Sequence, residues 1–418
     1  MRVAITHDWL SGIGGSERVL EQLLRLYPEA DLYTAMDHLP EKRRQILLGA
    51  RVFTSYLQKL PLSNNDPRKL LPLLPNAMGR FDLSPYDLVI SNSRIAAKFV
   101  RTRPGQVHIG YMSSASRFRW DLQLRHLQAR ARTIPIGGQM TALLLDHLRV
   151  ADEASTARID RIVTTSRSVA TRLGASYQRP IHVIHPPVDI DFWSPQQGVK
   201  REDFYLALLS GDTGARMDPV VEAFSSMPHR RLLVVGDNES MGRSVRGAAS
   251  NVEFRQVESD EVLRDLMRKA KALVHATPDE LGLLLVEAQG CGLPVITLER
   301  AAALEIVQRL DSDAPSGIFF EDRRPASIVD AVERFEREKY RIYSAACRES
   351  AIRFRPEAFR AQFSSLVSET LEESSLHFGR PLLQVSRETA VPCRIVEEQP
   401  WGVEEALDAV AATVDVYV

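Results

Sequence analysis

Cysteine is scarce: Cys291, Cys347 and Cys393 are the only three in 418 residues. An odd, sparse set without ligand-like spacing excludes a disulfide framework and a thiolate metal cluster, and it predicts a reducing, cytoplasmic compartment. Long hydrophobic runs are missing as well. No uninterrupted apolar stretch reaches the ~18 residues that a membrane span requires, and the most apolar helical piece, Met140–Leu145, ends in Asp146 and His147. The opening MRVAITHDWL has neither the charged nor the apolar region of a signal peptide and reads as a strand entering a turn. Net charge is only −1, so no overall field gathers nucleic acid or membrane. Low-complexity sequence is also absent.

What is present is an ordinary globular composition, 44% apolar and 26% charged, on a length that suits two domains of ~150–200 residues each. Apolar strand-like runs alternate with helical periods. Val3–Thr6, Asp31–Thr34, Tyr86–Ser91, Val107–Tyr111, Arg161–Ser166 and Ile181–Ile184 read as strands, with helices over Ser16–Leu26, Thr141–Ile159 and Ser168–Leu173. After His185-Pro186-Pro187 the alternation resumes. Strands are predicted at Phe204–Leu209, Arg231–Val235, Val252–Gln256, Ala272–His275 and Pro294–Thr297, and helices at Asp218–Ser226, Glu261–Lys269, Gly282–Gly290, Ala326–Lys339 and Arg341–Ile352. This pattern predicts an α/β protein with two doubly wound, Rossmann-like parallel sheets. Residues 1–194 form the first domain, 195–352 the second, 353–374 a crossover helix around Pro356–Glu369, and 375–418 an extension of another character. Ligands are expected at the carboxyl ends of the strands, in a cleft between the domains.

Two segments carry chemistry. Gly12, Gly14 and Gly15 lie between the first strand and its helix, where backbone amides and the positive helix end approach an anion or sugar; the glycines fit a tight turn equally well. His7 and Asp8 stand at the exit of that strand, and a hydrogen-bonded core histidine is the plain alternative for His7. In the second segment, Asp279-Glu280-Leu281-Gly282 opens a helix that carries Glu287, eight residues beyond Asp279. A loop carboxylate, a set of helix N-terminal amides and a second carboxylate two turns on suit a nucleotide sugar: the amides face the diphosphate and the carboxylates accept from hydroxyls. An acidic helix start that merely complements the macrodipole accounts for Asp279 and Glu280. It does not account for Glu287 within an apolar stretch.

The chain here resembles the family-four retaining glycosyltransferases, in particular the bacterial branch that builds surface polysaccharides with mannose-type donors. The resemblance runs over roughly residues 1–370 and rests on HDWLSGIGGSERVLE (7–21), TSYLQKLP (54–61), FDLSPYDLVISNSRIAAK (81–98), the Trp120-Asp121 pair, RIDRIVTTSRSVATR (158–172), VIHPPVDIDFW (183–193), VVGDNE (234–239) and ELGLLLVEAQGCGLPVI (280–296). It implies a GT-B fold, no metal, no cofactor beyond the nucleotide-diphospho sugar, and a saccharide or lipid-diphosphate acceptor held by the N-terminal domain. Asp279 and Glu287 stand at the family's carboxylate pair and are the catalytic candidates. His7, Asp8, Gly14, Gly15, Ser113, Arg216, Glu280, Gly282 and Arg300 are the substrate-binding candidates.

The sequence departs from that pattern on the donor-phosphate side. Ser113 stands for the usual histidine, Ser210-Gly211 for Ser-Arg, Ala215 for a lysine, and Ala301-Ala302 for a glycine pair. Loss of one preorganised stabiliser of developing charge typically costs ~10²–10³ in rate. Two readings therefore stand: a working glycosyltransferase in cell-envelope polysaccharide synthesis, with Arg216 or Arg300 as substitute cations, or a weak or inactive GT-B pseudo-transferase that binds a sugar or a partner. An epimerase on the same architecture fits the motifs less well. Finally, Arg94, Lys98, Arg101, Arg103, Arg117, Arg119, Arg125, Arg130 and Arg132 surround a single acid, Asp121. The stretch suits a solvated face or a peripheral contact with the anionic inner face of the cytoplasmic membrane. Without interleaved aromatics it does not suit nucleic acid.

Overall fold

A computed structural model describes residues 1–60, 67–114, 137–209, 218–236, 248–277 and 281–378. Contacts divide the chain into two units, one built from Met1–Pro186 with Phe359 onward, the other from Pro187–Ala358.

The first unit holds a seven-stranded, all-parallel sheet in the order β3-β2-β1-β4-β5-β6-β7. The strands are β1 (Val3–His7), β2 (Asp31–Thr34), β3 (Val52–Thr54), β4 (Leu88–Ser93), β5 (Val107–Met112), β6 (Arg161–Thr164) and β7 (Ile181–Val183). β1, β2, β4 and β5 are buried along their whole length, as strands covered on both faces must be. The helices are α1 (Gly15–Leu26), α2 (Leu74–Gly79), α3 (Gly137–Thr156) and α4 (Arg167–Tyr177). In α1, Val19, Leu20, Leu23 and Leu24 form the apolar stripe that faces the sheet.

The second unit holds a six-stranded parallel sheet in the order β10-β9-β8-β11-β12-β13. Its strands are β8 (Tyr205–Leu208), β9 (Leu232–Gly236), β10 (Val252–Gln256), β11 (Leu273–His275), β12 (Val295–Leu298) and β13 (Gly317–Phe320). Helices α5 (Asp218–Ser225), α6 (Asp260–Lys269), α7 (Leu283–Gly290) and α8 (Ala303–Ile306) lie between them, and α9 (Pro325–Glu338) and α10 (Ser344–Ile352) follow the last strand. In each sheet the strand order reverses once, between β1 and β4 and between β8 and β11, which marks the ligand-binding crevice of an open α/β sheet.

The expected boundary at Ser194 falls earlier in the structure, at Pro186–Pro187. Val188, Ile190 and Trp193 pack in the second unit's core with Leu285 and Val286. The Val188 amide donates to the Phe354 carbonyl (2.9 Å). Arg348 Nη1 donates to the carbonyls of Ile190 (2.6 Å), Trp193 (2.8 Å) and Gly290 (3.1 Å), so the incoming chain is fastened to the end of α7. The last helix, α11 (Pro356–Phe378), is longer than the sequence pattern predicted. Phe359, Phe363, Leu366 and Val367 repeat at helical spacing and join Tyr111 and Ile184 in the first unit's core. Each buried phenylalanine contributes roughly 1.5–3 kcal/mol.

Three sequence expectations change in detail. β3 and β13 are too short to read from periodicity. The predicted helix over 341–352 is split: a 3₁₀ turn covers Lys339–Arg341, and α10 begins only at Ser344. Lys98, counted above among surface basic residues, is 3% exposed. It pairs with Asp152 and donates to the Tyr177 hydroxyl (3.1 Å), which itself donates to Asp152 (2.7 Å). The positive face therefore loses that charge to a buried network joining the loop after β4 to α3 and α4.

Candidate active site

At the carboxyl end of β1 the chain turns through the glycine loop into α1. Gly14 is the N-cap, and no side chain caps the helix there. Instead Glu17, in the first turn, reaches back and accepts from the Gly14 amide (2.8 Å), one half of a capping box. Gly12 has open space where a Cβ would lie. The uncapped amides of this turn are therefore presented to any ligand at the carboxyl edge.

His7 lies beneath this loop and is 1% exposed. Asn92 Nδ2 donates to the Ser16 carbonyl (2.8 Å), which fixes the orientation of its amide, and the same nitrogen faces His7 Nδ1 at 3.2 Å. Nδ1 is therefore the acceptor and Nε2 carries the hydrogen, directed at Glu17 Oε1 (3.2 Å). Burial alone raises the Glu17 carboxyl. The hydrogen bond and electrostatic pull of His7, with the Gly14 amide, outweigh it and hold the group below the usual carboxylate range. His7 thus supports the loop from below.

Asp8 has a comparable role. Its carboxylate accepts from the amides of Arg94 (2.8 Å), Ile95 (2.8 Å), Ala96 (2.8 Å) and Ala97 (2.7 Å). With both oxygens engaged, it anchors the loop after β4 and has little acceptor capacity left for a sugar hydroxyl. Ser113, 6% exposed, continues the β4–β5 pairing through its amide to the Ser93 carbonyl (3.1 Å). Glu17 and Asn92 were not picked out from sequence. The signal for Glu17 was available, since an acidic residue three positions after a helix N-cap is the capping-box spacing. Asn92 had none, because its partners come from distant strands.

In this arrangement Glu17→Gln leaves one acceptor oxygen for two donors, His7 Nε2–H and the Gly14 amide, so the new NH2 group faces one of them and the bond to Gly14 is lost or shared. We expect the Gly14 amide to exchange with solvent roughly tenfold faster, from the loss of about 1–2 kcal/mol of local hydrogen bonding, while the global melting temperature changes little. Unchanged exchange at Gly14 would mean that the pair does not hold the loop.

In the second unit, Gly282 is the N-cap of α7, with φ +67° and no side-chain cap. A Cβ there would lie 2.2 Å from Ile306 Cδ1 and 3.0 Å from Ala302 Cβ. Glycine is required twice over, by its left-handed backbone and by the close approach of α8. Glu287 is half-buried on the second turn of α7, among the buried Leu285, Val286 and Ala288. Its charge, after burial, helps push the Cys291 thiol up to about 12. Arg300 is exposed in the loop after β12, and its charge helps hold Asp322 low, behind the larger effect of Arg324. Asp279, Glu280, Gly211, Ala215 and Arg216 lie outside the described residues.

Of the two alanines that replace the family's glycine pair, Ala301 has φ +53° and Ala302, at −63°, is ordinary. The left-handed turn is thus kept without glycine, and only its first position demands one. A left-handed alanine costs about 1–2 kcal/mol, offset in a glycine replacement by roughly 0.5–1 kcal/mol of extra unfolded-state entropy. Ala301→Gly is therefore expected to raise unfolding stability by about 0.5–1 kcal/mol in a denaturant titration. A loss of stability would contradict the strain.

Residues 213–337 match the profile of a family described as glycosyl transferases group 1. D-inositol 3-phosphate glycosyltransferase of Mycobacteroides abscessus is 25% identical over 314 residues, 65% of this chain and 69% of the relative. The proteins of that name from Thermomonospora curvata and a Mycobacterium tuberculosis strain are each 26% identical. The alignments cover 46% of this chain and 52% of the first relative, and 61% of this chain and 60% of the second. The chain thus spans about half to two thirds of the length of these curated relatives. Among solved structures, Anabaena HepE in complex with UDP and glucose superposes with a TM-score of 0.62 at 17% identity, over 87% of this chain and 99% of that one. Sucrose-phosphate synthase of Thermosynechococcus elongatus gives 0.64 at 16%, over 89% and 100%. At these identities the structural likeness establishes the fold: two Rossmann-like parallel-sheet units of the GT-B glycosyltransferase class. The profile match in the second unit and the names of the curated relatives together support reading the chain as a glycosyltransferase enzyme.

Proposed function

We propose that the chain transfers a sugar from a nucleotide-diphospho sugar to a saccharide or lipid-linked acceptor in cell-envelope polysaccharide synthesis, with retention and without a metal. The observation that carries this reading is the start of α7. A glycine N-cap, held left-handed and packed tightly on α8, leaves the helix amides uncapped beyond the carboxyl end of β11, and Glu287 follows on the second turn. Such an end suits a diphosphate, and a half-buried carboxylate suits ribose hydroxyls. HepE was solved with UDP and with UDP-glucose, and its fold likeness makes a uridine donor the first to test.

The sequence also favours a second reading. Gly211 and Ala215 carry no charge where the family places cations, which suits a catalytically weak or inactive transferase that binds a sugar or a partner. One titration addresses the shared part of both readings. The purified chain should bind one member of a panel of UDP-, GDP- and ADP-sugars saturably. Glu287→Gln should weaken that binding about tenfold or more, the loss of one charge-assisted bond, with the melting temperature nearly unchanged. If no nucleotide sugar binds, the transferase reading fails and the second is left only as a partner-binding subunit.

A further inference from the structure

We propose that the open edge of β13 in the second unit is a docking groove for an extended, basic peptide segment of a partner protein, taken up as an added parallel strand. β11 and β12 stand between this groove and the crevice where the strand order reverses, so the site is separate from the transfer site proposed above.

The groove encloses about 430 Å³. Its floor is β13 itself. One wall is the face of α9 that carries Ser327, Asp330 and Arg334, and the other is the loop at Arg309–Asp311. Register decides which backbone groups look into it. The Val295 amide donates to the Ser316 carbonyl (3.3 Å) and the Glu299 amide to the Phe320 carbonyl (2.9 Å), so β12 is bonded by Ser316, Ile318 and Phe320. The residues between them, Gly317 and Phe319, turn their backbone groups to the open edge. There the Gly317 amide donates to the Gln308 carbonyl (3.3 Å), and Arg334 Nη2 donates to the Phe319 carbonyl. The Gly317 carbonyl and the Phe319 amide have no partner among the described residues.

A parallel strand uses that pair. One residue of it, set opposite Ile318, donates to the Gly317 carbonyl and accepts from the Phe319 amide, and the Gln308 and Arg334 bonds stay in place. An antiparallel strand pairs both groups of one residue, and would displace Arg334 at Phe319 or Gln308 at Gly317. A second copy of this edge would meet the first antiparallel by two-fold symmetry, like charge against like.

Charge selects the segment. Both cations of the lining are engaged: Arg309 pairs with Glu299 and lies 5.0 Å from the centre of the Phe319 ring, and Arg334 straps the Phe319 carbonyl. Asp311, Glu321 and Asp330 are exposed, and among the described residues none has a hydrogen bond or an ion pair. The field of Glu321 reaches Arg324, but that guanidinium is bound to Asp322 (2.8 Å). Main-chain bonds to the strand edge supply affinity, and the unpaired carboxylates favour lysine and arginine side chains.

The test is a fluorescence-anisotropy titration of the full chain with a labelled, end-capped hexapeptide of alternating valine and arginine. Saturable binding is expected. The same peptide methylated on every backbone nitrogen keeps its charge but cannot donate to the edge, and should bind at least tenfold more weakly. Asp311→Asn, Glu321→Gln and Asp330→Asn together should weaken binding of the unmethylated peptide about tenfold, each exposed pair contributing little alone, with the melting temperature nearly unchanged. Hydrogen exchange at the Phe319 amide should slow when the peptide is bound. No saturable binding, equal affinity for the methylated peptide, equal affinity in the triple variant, or unchanged exchange at Phe319 would overturn the proposal.

Discussion

Gly282→Ala is expected to lower the stability of the chain by about 2–4 kcal/mol and to weaken nucleotide-sugar binding more than tenfold. The stability loss has two sources. A left-handed alanine costs about 1–2 kcal/mol, and forcing a methyl into the contact with Ile306 Cδ1, which would be 2.2 Å away, adds about 1–3 kcal/mol of overpacking. Binding falls because the same residue sets the direction of the first α7 amides. A second substitution separates the two causes. Ile306→Ala opens the space that the new methyl needs, so the double variant should recover the packing part and keep the backbone part. Denaturant titration of both variants, with UDP-glucose binding measured beside it, reads the division. Full recovery of binding in the double variant would mean that crowding alone matters and that the left-handed cap does not shape the site. No loss in the single variant would mean that the backbone at Gly282 is relaxed.

The architecture was legible because both sheets are parallel and their central strands are buried on both faces, so these strands read as apolar runs separated by helical periods. What escaped was short or non-local. The three-residue β3 shows no period, and GIFF of β13 is recognised as an edge strand only through its pairing with β12. The boundary shift has the same origin. Trp193 belongs to the second unit because it packs beside α7 and because Arg348, far along the chain, gathers the carbonyls around it.

The site was legible in its parts, and the contacts that hold those parts were not. Sequence placed His7 and Asp8 at the exit of β1, and that is where they are. It could not tell that the loop after β4 returns four amides to Asp8, or that Asn92 and Glu17 enclose His7, since these contacts join strands that meet only in the folded sheet. Gly282 shows the reverse. Sequence placed it at the opening of a helix, and the fold adds a left-handed N-cap backbone and the tight approach of α8 as two reasons for glycine. Ala301 adds that a missing glycine need not mean a missing conformation. The loss of the glycine pair is therefore weaker evidence against turnover than the loss of the two cations.

Those cations give the most discriminating experiment. Gly211→Arg together with Ala215→Lys restores charge at positions that lie outside the described residues and that the family resemblance assigns to the leaving diphosphate. If the chain is a weak or inactive transferase for want of these charges, the double variant should gain affinity for UDP. Each charge-assisted bond contributes about 1.5–3 kcal/mol, so the gain should be tenfold or more for each cation that engages. If another cation has taken over, the added pair should bring little or interfere, and removal of the substitute should reduce turnover by ~10²–10³, the usual loss for one stabiliser of developing charge. Arg216 and Arg300 are the two substitutes to remove. Arg300 is exposed in the loop after β12, with its charge already felt by Asp322. Arg300→Ala therefore tests whether that side chain leaves the Asp322 surface for a bound diphosphate, and Arg216→Ala tests the alternative. Turnover of a nucleotide sugar by the wild type that survives both alanine variants and is not raised by the added pair would contradict both accounts of the phosphate site, the one with charge missing and the one with a substitute arginine. The leaving charge would then have to be met by backbone amides alone, with the uncapped turn of α7 as the first place to look.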